Sequence, residues 1–146
     1  MKSALCAAIT LVLLSACASS SQSSGPNVTL HLTAVNSPPD IFYFAGPISL
    51  QYQLSVTNPT SEPLTLTRLE LRTMGPGAYS IRTQASPMNL KISPNATVTY
   101  TISVWGYARG GYLAAEEPVT LQGTAFFRGT SSGSFVRIFN ETILPR

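Results

Sequence analysis

The run ISLQYQLSVT, from Ile48 to Thr57, alternates without a break. Ile48, Leu50, Tyr52, Leu54 and Val56 form one set, and Ser49, Gln51, Gln53, Ser55 and Thr57 form the other. A helix would scatter both sets around its circumference, whereas a strand places one set on each face. A strand with one apolar face must cover it with another apolar layer, so this stretch commits the chain to a layered β architecture. VTLHLTAV repeats the pattern with Val28, Leu30 and Leu32 against Thr29, His31 and Thr33. TVTYTISVW repeats it again, predicting Val98, Tyr100, Ile102 and Val104 inward and Thr97, Thr99, Thr101 and Ser103 outward. In LTLTRLELRT the phase slips: Leu64 and Leu66 share one register, Leu69 and Leu71 the opposite one. One extra residue absorbs such a slip, which predicts a β-bulge near Thr67 and Arg68.

Turn chemistry separates these runs. NPTSEP at 58–63 carries two prolines that cannot donate to a ladder. MGPG precedes a short strand AYSIRT, QASPMN reads as a loop before a brief strand LKI, and SPNA reads as a turn. GYARGGYLAAEEP is the longest interruption, with one helical turn at most in YLAAEE; VTLQGTAFFR and SFVRIFNETIL flank GTSSG as a hairpin. Seven or eight short strands with polar turns predict an all-β fold, an antiparallel immunoglobulin-like sandwich over residues 27–146. The Cys-Trp-Cys spacing of antibody domains is missing, and an open barrel is the alternative architecture.

The amino-terminal segment follows a different logic. Lys2 precedes the apolar run ALCAAITLVLL, which has the length of a secretory signal core and is too short to span a bilayer. Leu14-Ser15-Ala16-Cys17 then resembles the lipobox of bacterial lipoproteins. The resemblance implies a signal peptide over residues 1–16, cleavage before Cys17, and a diacylglyceryl group on the Cys17 thiol. Cysteine usage agrees, because Cys6 lies in the leader and leaves Cys17 without an internal partner in an oxidising compartment. At roughly 0.8 kcal/mol per buried CH₂, two or three acyl chains make a durable anchor. The stretch ASSSQSSGP completes a tether over residues 17–26, with a reach on the order of 15 Å. The lack of Asp after the cysteine implies, within that family, an outer-membrane protein facing the periplasm.

YQLSVTNPTSEPLTLTRLELRT, with PVTLQGTAFF and a terminal strand after it, is similar to the water-stress and hypersensitive-response domain, also called the type-two late-embryogenesis-abundant fold. The matching positions are Asn58, Pro59, Leu64, Leu66, Leu69 and Leu71, and the likeness spans residues 45 to 143. It implies a sandwich with no catalytic site, linked in that family to desiccation protection or to contact with lipids and partners.

Charge and composition narrow the function further. Lys+Arg 9 against Asp+Glu 6 gives a net +3. The basic residues lie singly, not in the stripe that nucleic-acid binding requires, so no nucleic-acid partner is expected. The lone histidine, His31, sits within a predicted strand, and Asp40 lies in a loop nine residues on. There is no nucleophile elbow, so no serine hydrolase is indicated. Glu116 and Glu117 are adjacent and point apart in an extended chain, unlike the facing carboxylates of a glycosidase. The ligand inventory is too small for a metal site, and no cofactor is expected. The sequence therefore points to a non-enzymatic, lipid-anchored envelope protein that binds or scaffolds a protein or glycan partner. A stress-protective domain is the second reading, and a cell-wall or lipid hydrolase the third. The candidate binding loop is WGYARGGYL, where Trp105, Tyr107, Arg109 and Tyr112 supply large rigid surfaces with polar tips.

Overall fold

The computed structural model describes residues 25–36 and 43–144. Among the described residues eight strands run as β1 (Thr29–Asn36), β2 (Gly46–Asn58), β3 (Leu64–Met74), β4 (Tyr79–Ser80), β5 (Gln84–Ile92), β6 (Ala96–Ala108), β7 (Val119–Gly129) and β8 (Ser134–Ile143). One helical turn, α1 (Tyr112–Ala115), precedes β7. The strands form two four-stranded antiparallel sheets, ordered β1-β2-β6-β4 and β5-β3-β7-β8, which pack as a sandwich.

The alternation seen in sequence becomes the core. Leu50, Tyr52, Leu54 and Val56 of β2 are buried with Leu30 and Leu32 of β1, and Leu64, Leu66, Leu69, Leu71, Leu121 and Phe127 come from the second sheet. Each such aliphatic or aromatic side chain contributes about 1.5–3 kcal/mol by leaving water. Phe127 stacks on Phe135 at 5.2 Å between centroids, which locks the β7–β8 hairpin to the core.

The predicted bulge is present. Both neighbours of β3 change register between Leu66 and Arg68, so all four leucines of β3 point inward despite their opposite phases. Thr67, the extra residue against β7, donates its hydroxyl to the Phe126 carbonyl at 3.0 Å. The Arg68 guanidinium lies 3.8 Å above the Phe126 ring on the outer face.

Three local expectations are corrected. QASPMN is not a loop: together with LKI it makes the continuous strand β5, at the edge of its sheet. An edge tolerates Pro87 because one of its sides needs no N–H donor. Tyr100 shares the inward parity of Ile102 and Val104, yet 47% of it is exposed. β2 pairs with β6 at that height on one side only, and among the described residues no strand pairs with it on the other, so the ring reaches the open flank of the sandwich. Finally, β6 runs past Trp105 to Ala108, so Tyr107 belongs to the strand and not to the interruption that follows it.

Register fixes which groups share an end. Thr29, Thr57 and Thr97 lie side by side at one end; Gly46, Ala108 and Tyr79 lie side by side at the other. The chain comes in at the first end, where Arg137 of β8 donates to the carbonyls of Gly25 and Pro26.

Candidate binding site

The groove at the far end of β6 follows from strand parity. Ile102 and Val104 face the core, so Trp105 and Tyr107 must both stand on the solvent face, two residues apart. They are 64% and 54% exposed. Gly106 between them points inward. A Cβ there would sit 3.0 Å from Leu50 Cδ1 and 3.1 Å from the Ser80 carbonyl oxygen, so glycine lets β4 and the core close up beneath the two rings.

Ser80 pairs with Tyr107 across the sheet, and Arg82 follows as the chain leaves β4 for the other sheet. Ser80, Arg82, Trp105, Gly106 and Tyr107 line an open groove of about 430 Å³. The Gln84 side chain accepts the Trp105 backbone N–H at 3.0 Å, which fixes the strand under the indole. The arrangement offers two aromatic surfaces, a hydroxyl and a guanidinium, suited to stacking and hydrogen bonding with a ligand laid along the strand.

The other two predicted residues lie elsewhere. The Arg109 guanidinium donates to Glu117 Oε2 at 2.6 Å and to the Gly77 carbonyl at 3.3 Å, so it ties two loops together. Tyr112, 71% exposed, stacks on Tyr43 with centroids 5.5 Å apart and rings 4° from parallel. This second aromatic pair, with exposed Phe44 and Leu113 nearby in sequence, belongs to the same end of the molecule. Ser80 and Arg82 were not legible as site residues: β4 has two residues and no periodicity of its own, and only the register with β6 puts them beside the aromatics.

His31 is exposed on β1 and shares a hydrogen bond of 3.0 Å with Glu141 of β8. Glu116 is exposed beside the Arg109–Glu117 pair. Cys17 and Asp40 lie outside the described residues. Among the described residues no group of three His, Cys, Asp or Glu could hold a metal ion. Among them, too, no helix is long and apolar enough to cross a membrane.

No protein-family description matches the chain, and no curated protein does. Solved structures do. The Northeast Structural Genomics Consortium target SoR45 aligns at a TM-score of 0.54 with 13% identity, over 80% of this chain and 84% of its own. A Bordetella pertussis protein designated ApaA aligns at 0.51 with 18% identity, over 84% and 98%. A protein designated late embryogenesis abundant aligns at 0.51 with 11% identity, over 78% and 68%. At these identities the likeness is one of fold: the chain is a small two-sheet β-sandwich, and the late-embryogenesis-type architecture implied by the Asn-Pro turn is among its structural neighbours.

Proposed function

We propose that the chain is a non-catalytic, lipid-anchored protein of a bacterial envelope whose sandwich holds a partner in the Trp105–Tyr107 groove. Acylation at Cys17 fixes it to the membrane, and the outer membrane, facing the periplasm, is the expected location. The observation that carries the reading is the placement of the groove. The described chain begins at Gly25 near Thr29, and Trp105 lies eight residues along β6 from Thr97, roughly 26 Å away along the strand. A tethered domain thus presents two exposed aromatic rings at the end away from its tether, where a partner in the periplasm reaches them.

The test is affinity capture on the acylated full chain. The expected result is a protein or glycan retained by the parent and lost with Trp105→Ala and Tyr107→Ala together. Equal capture by both proteins rejects the groove. A stress-protective role is the second reading, favoured by the fold shared with the late-embryogenesis-designated protein. A deletion strain that survives drying as well as its parent removes it.

A further inference from the structure

Two sheets have four flanks, and three of them are guarded. β5 carries Pro87 and Lys91, β8 carries Arg137 and Glu141, and β1 meets Glu141 through His31. Prolines and charges at an edge stop another chain from adding a strand. β6 has no such protection: its 13 residues, ATVTYTISVWGYA, include no charge and no proline.

β6 is also an edge along most of its length. β2 pairs with it throughout on one side, whereas β4 meets it on the other only at Tyr107 and Ala108. The Trp105 N–H, which goes to the Gln84 side chain, points to this second side. Main-chain groups alternate direction along a strand, so those of Thr97, Thr99, Thr101 and Ser103 point there as well. None of them has a strand beside it among the described residues. On the inner side of the same flank lies Tyr100, 47% exposed, with Val98, Met88 and Leu90 only partly buried. The flank therefore offers unpaired backbone and uncovered apolar surface together. A further strand satisfies both, since its backbone takes the hydrogen bonds and its inward side chains cover the rings.

The order of residues specifies whose strand. From Tyr100 outward, TVTYTIS reads the same in both directions by chemical type: Thr99 and Thr101, Val98 and Ile102, Thr97 and Ser103. We propose that β6 pairs antiparallel with β6 of a second copy of this chain, about a two-fold axis at Tyr100. Hydroxyl side chains then oppose hydroxyl side chains, and aliphatics oppose aliphatics. Thr97, Thr99, Thr101 and Ser103 exchange about eight main-chain hydrogen bonds with the second copy. The two Tyr100 residues meet at a non-hydrogen-bonded position, where cross-strand side chains come closest. The contact is isologous and closes on itself, giving a dimer with a continuous eight-stranded sheet and not a fibre. It stands apart from the Trp105–Tyr107 groove and from the membrane anchor.

The test is cross-linking of the full chain carrying Tyr100→Cys. At the two-fold axis the paired Cα atoms lie about 4.5 Å apart, within disulfide range. Mild oxidation is expected to yield a reducible dimer in most chains. The parent, with its own cysteines, and Ile138→Cys, on an exposed face of the other sheet, set the collisional background. Adding Thr101→Pro removes an N–H that is unpaired in the monomer and is expected to cut the yield at least tenfold. Should that variant fail to fold, Tyr100→Lys in the otherwise native chain replaces it, with a shift from dimer to monomer mass by light scattering as the readout. A Tyr100→Cys yield no higher than background, or a parent of single-chain mass at micromolar concentration, overturns the pairing. So does capture of a different protein by Tyr100→Cys, which assigns the edge to another partner's strand.

Discussion

Tyr52 donates its hydroxyl to the hydroxyl of Tyr79 at 2.7 Å inside the core, joining β2 to the short edge strand β4 across β6. Both residues are fully buried, so neither hydroxyl has water to fall back on. Burial pushes the Tyr79 phenol up to about 12, and it raises Tyr52 as well, where the neighbouring Tyr79 adds to the effect.

The pair predicts an ordered set of stabilities. Tyr79→Phe orphans the buried Tyr52 donor and is expected to cost about 2 kcal/mol in urea unfolding, against about 1 kcal/mol for Tyr52→Phe. The double variant is expected to be milder than the sum, because the Tyr52 hydroxyl that Tyr79→Phe orphans is then gone as well. Raised phenol values also set a sign. The neutral forms are favoured in the fold, so this contribution is complete below the unfolded value near 10 and is lost as pH rises through the folded values. The urea midpoint should hold steady from about pH 7 to 9 and fall above about pH 10, and Tyr52→Phe with Tyr79→Phe should flatten that fall.

Asn58 is the buried polar residue among the described residues, and it organises the Asn-Pro turn. Its amide donates to the carbonyls of Glu62 at 2.8 Å and Ser93 at 3.1 Å, while its oxygen accepts the Thr60 N–H at 3.0 Å and hydroxyl at 2.7 Å. Asn58→Ala is expected to cost about 3 kcal/mol. Asn58→Asp should cost at least as much at pH 7, because a buried carboxylate then faces carbonyl oxygens it cannot donate to. Thermal unfolding of the two variants measures both.

Glu62 reaches from the same turn to the β7–β8 loop, where the Ser131 N–H meets Oε2 at 2.6 Å. Hydrogen bonding with Ser132, and then with the Ser131 N–H, holds the carboxyl below its ordinary range. A lowered value means stability that is present above the unfolded carboxylate value and lost as pH falls through the folded one. Glu62→Gln should therefore lower Tm at pH 7 and narrow the gap between pH 7 and pH 3.

Trp105 is the lone tryptophan of the chain and stands mostly in water, so its fluorescence reports on the groove directly. Emission of the free protein should be that of a solvated indole, and partner binding should shift it to shorter wavelength. Trp105→Ala should leave stability within about 0.5 kcal/mol, as for an exposed side chain, while abolishing capture.

The period-two runs made β1, β2, β3, β6, β7 and β8 legible, because one face of each packs inward and the other meets water. Even the bulge at Thr67 was visible, since the slip in leucine phase has no other cheap solution. β5 was hidden by Pro87, whose cost at an edge depends on which side has a neighbour. For the same reason Tyr100 read as core: parity gives its direction but not the width of the sheet above it. In the site, the aromatics Trp105 and Tyr107 came from local sequence, whereas Ser80 and Arg82 join them only through the β4–β6 pairing of segments distant along the chain.

The proposed location rests on the modification of residue 17, and mass spectrometry of the native mature amino terminus tests that modification in one step. The expected spectrum is a chain starting at Cys17 with a diacylglyceryl group on its sulfur. A terminus at another residue, or an unmodified Cys17 thiol, contradicts the anchor and leaves the groove on a domain free of the membrane.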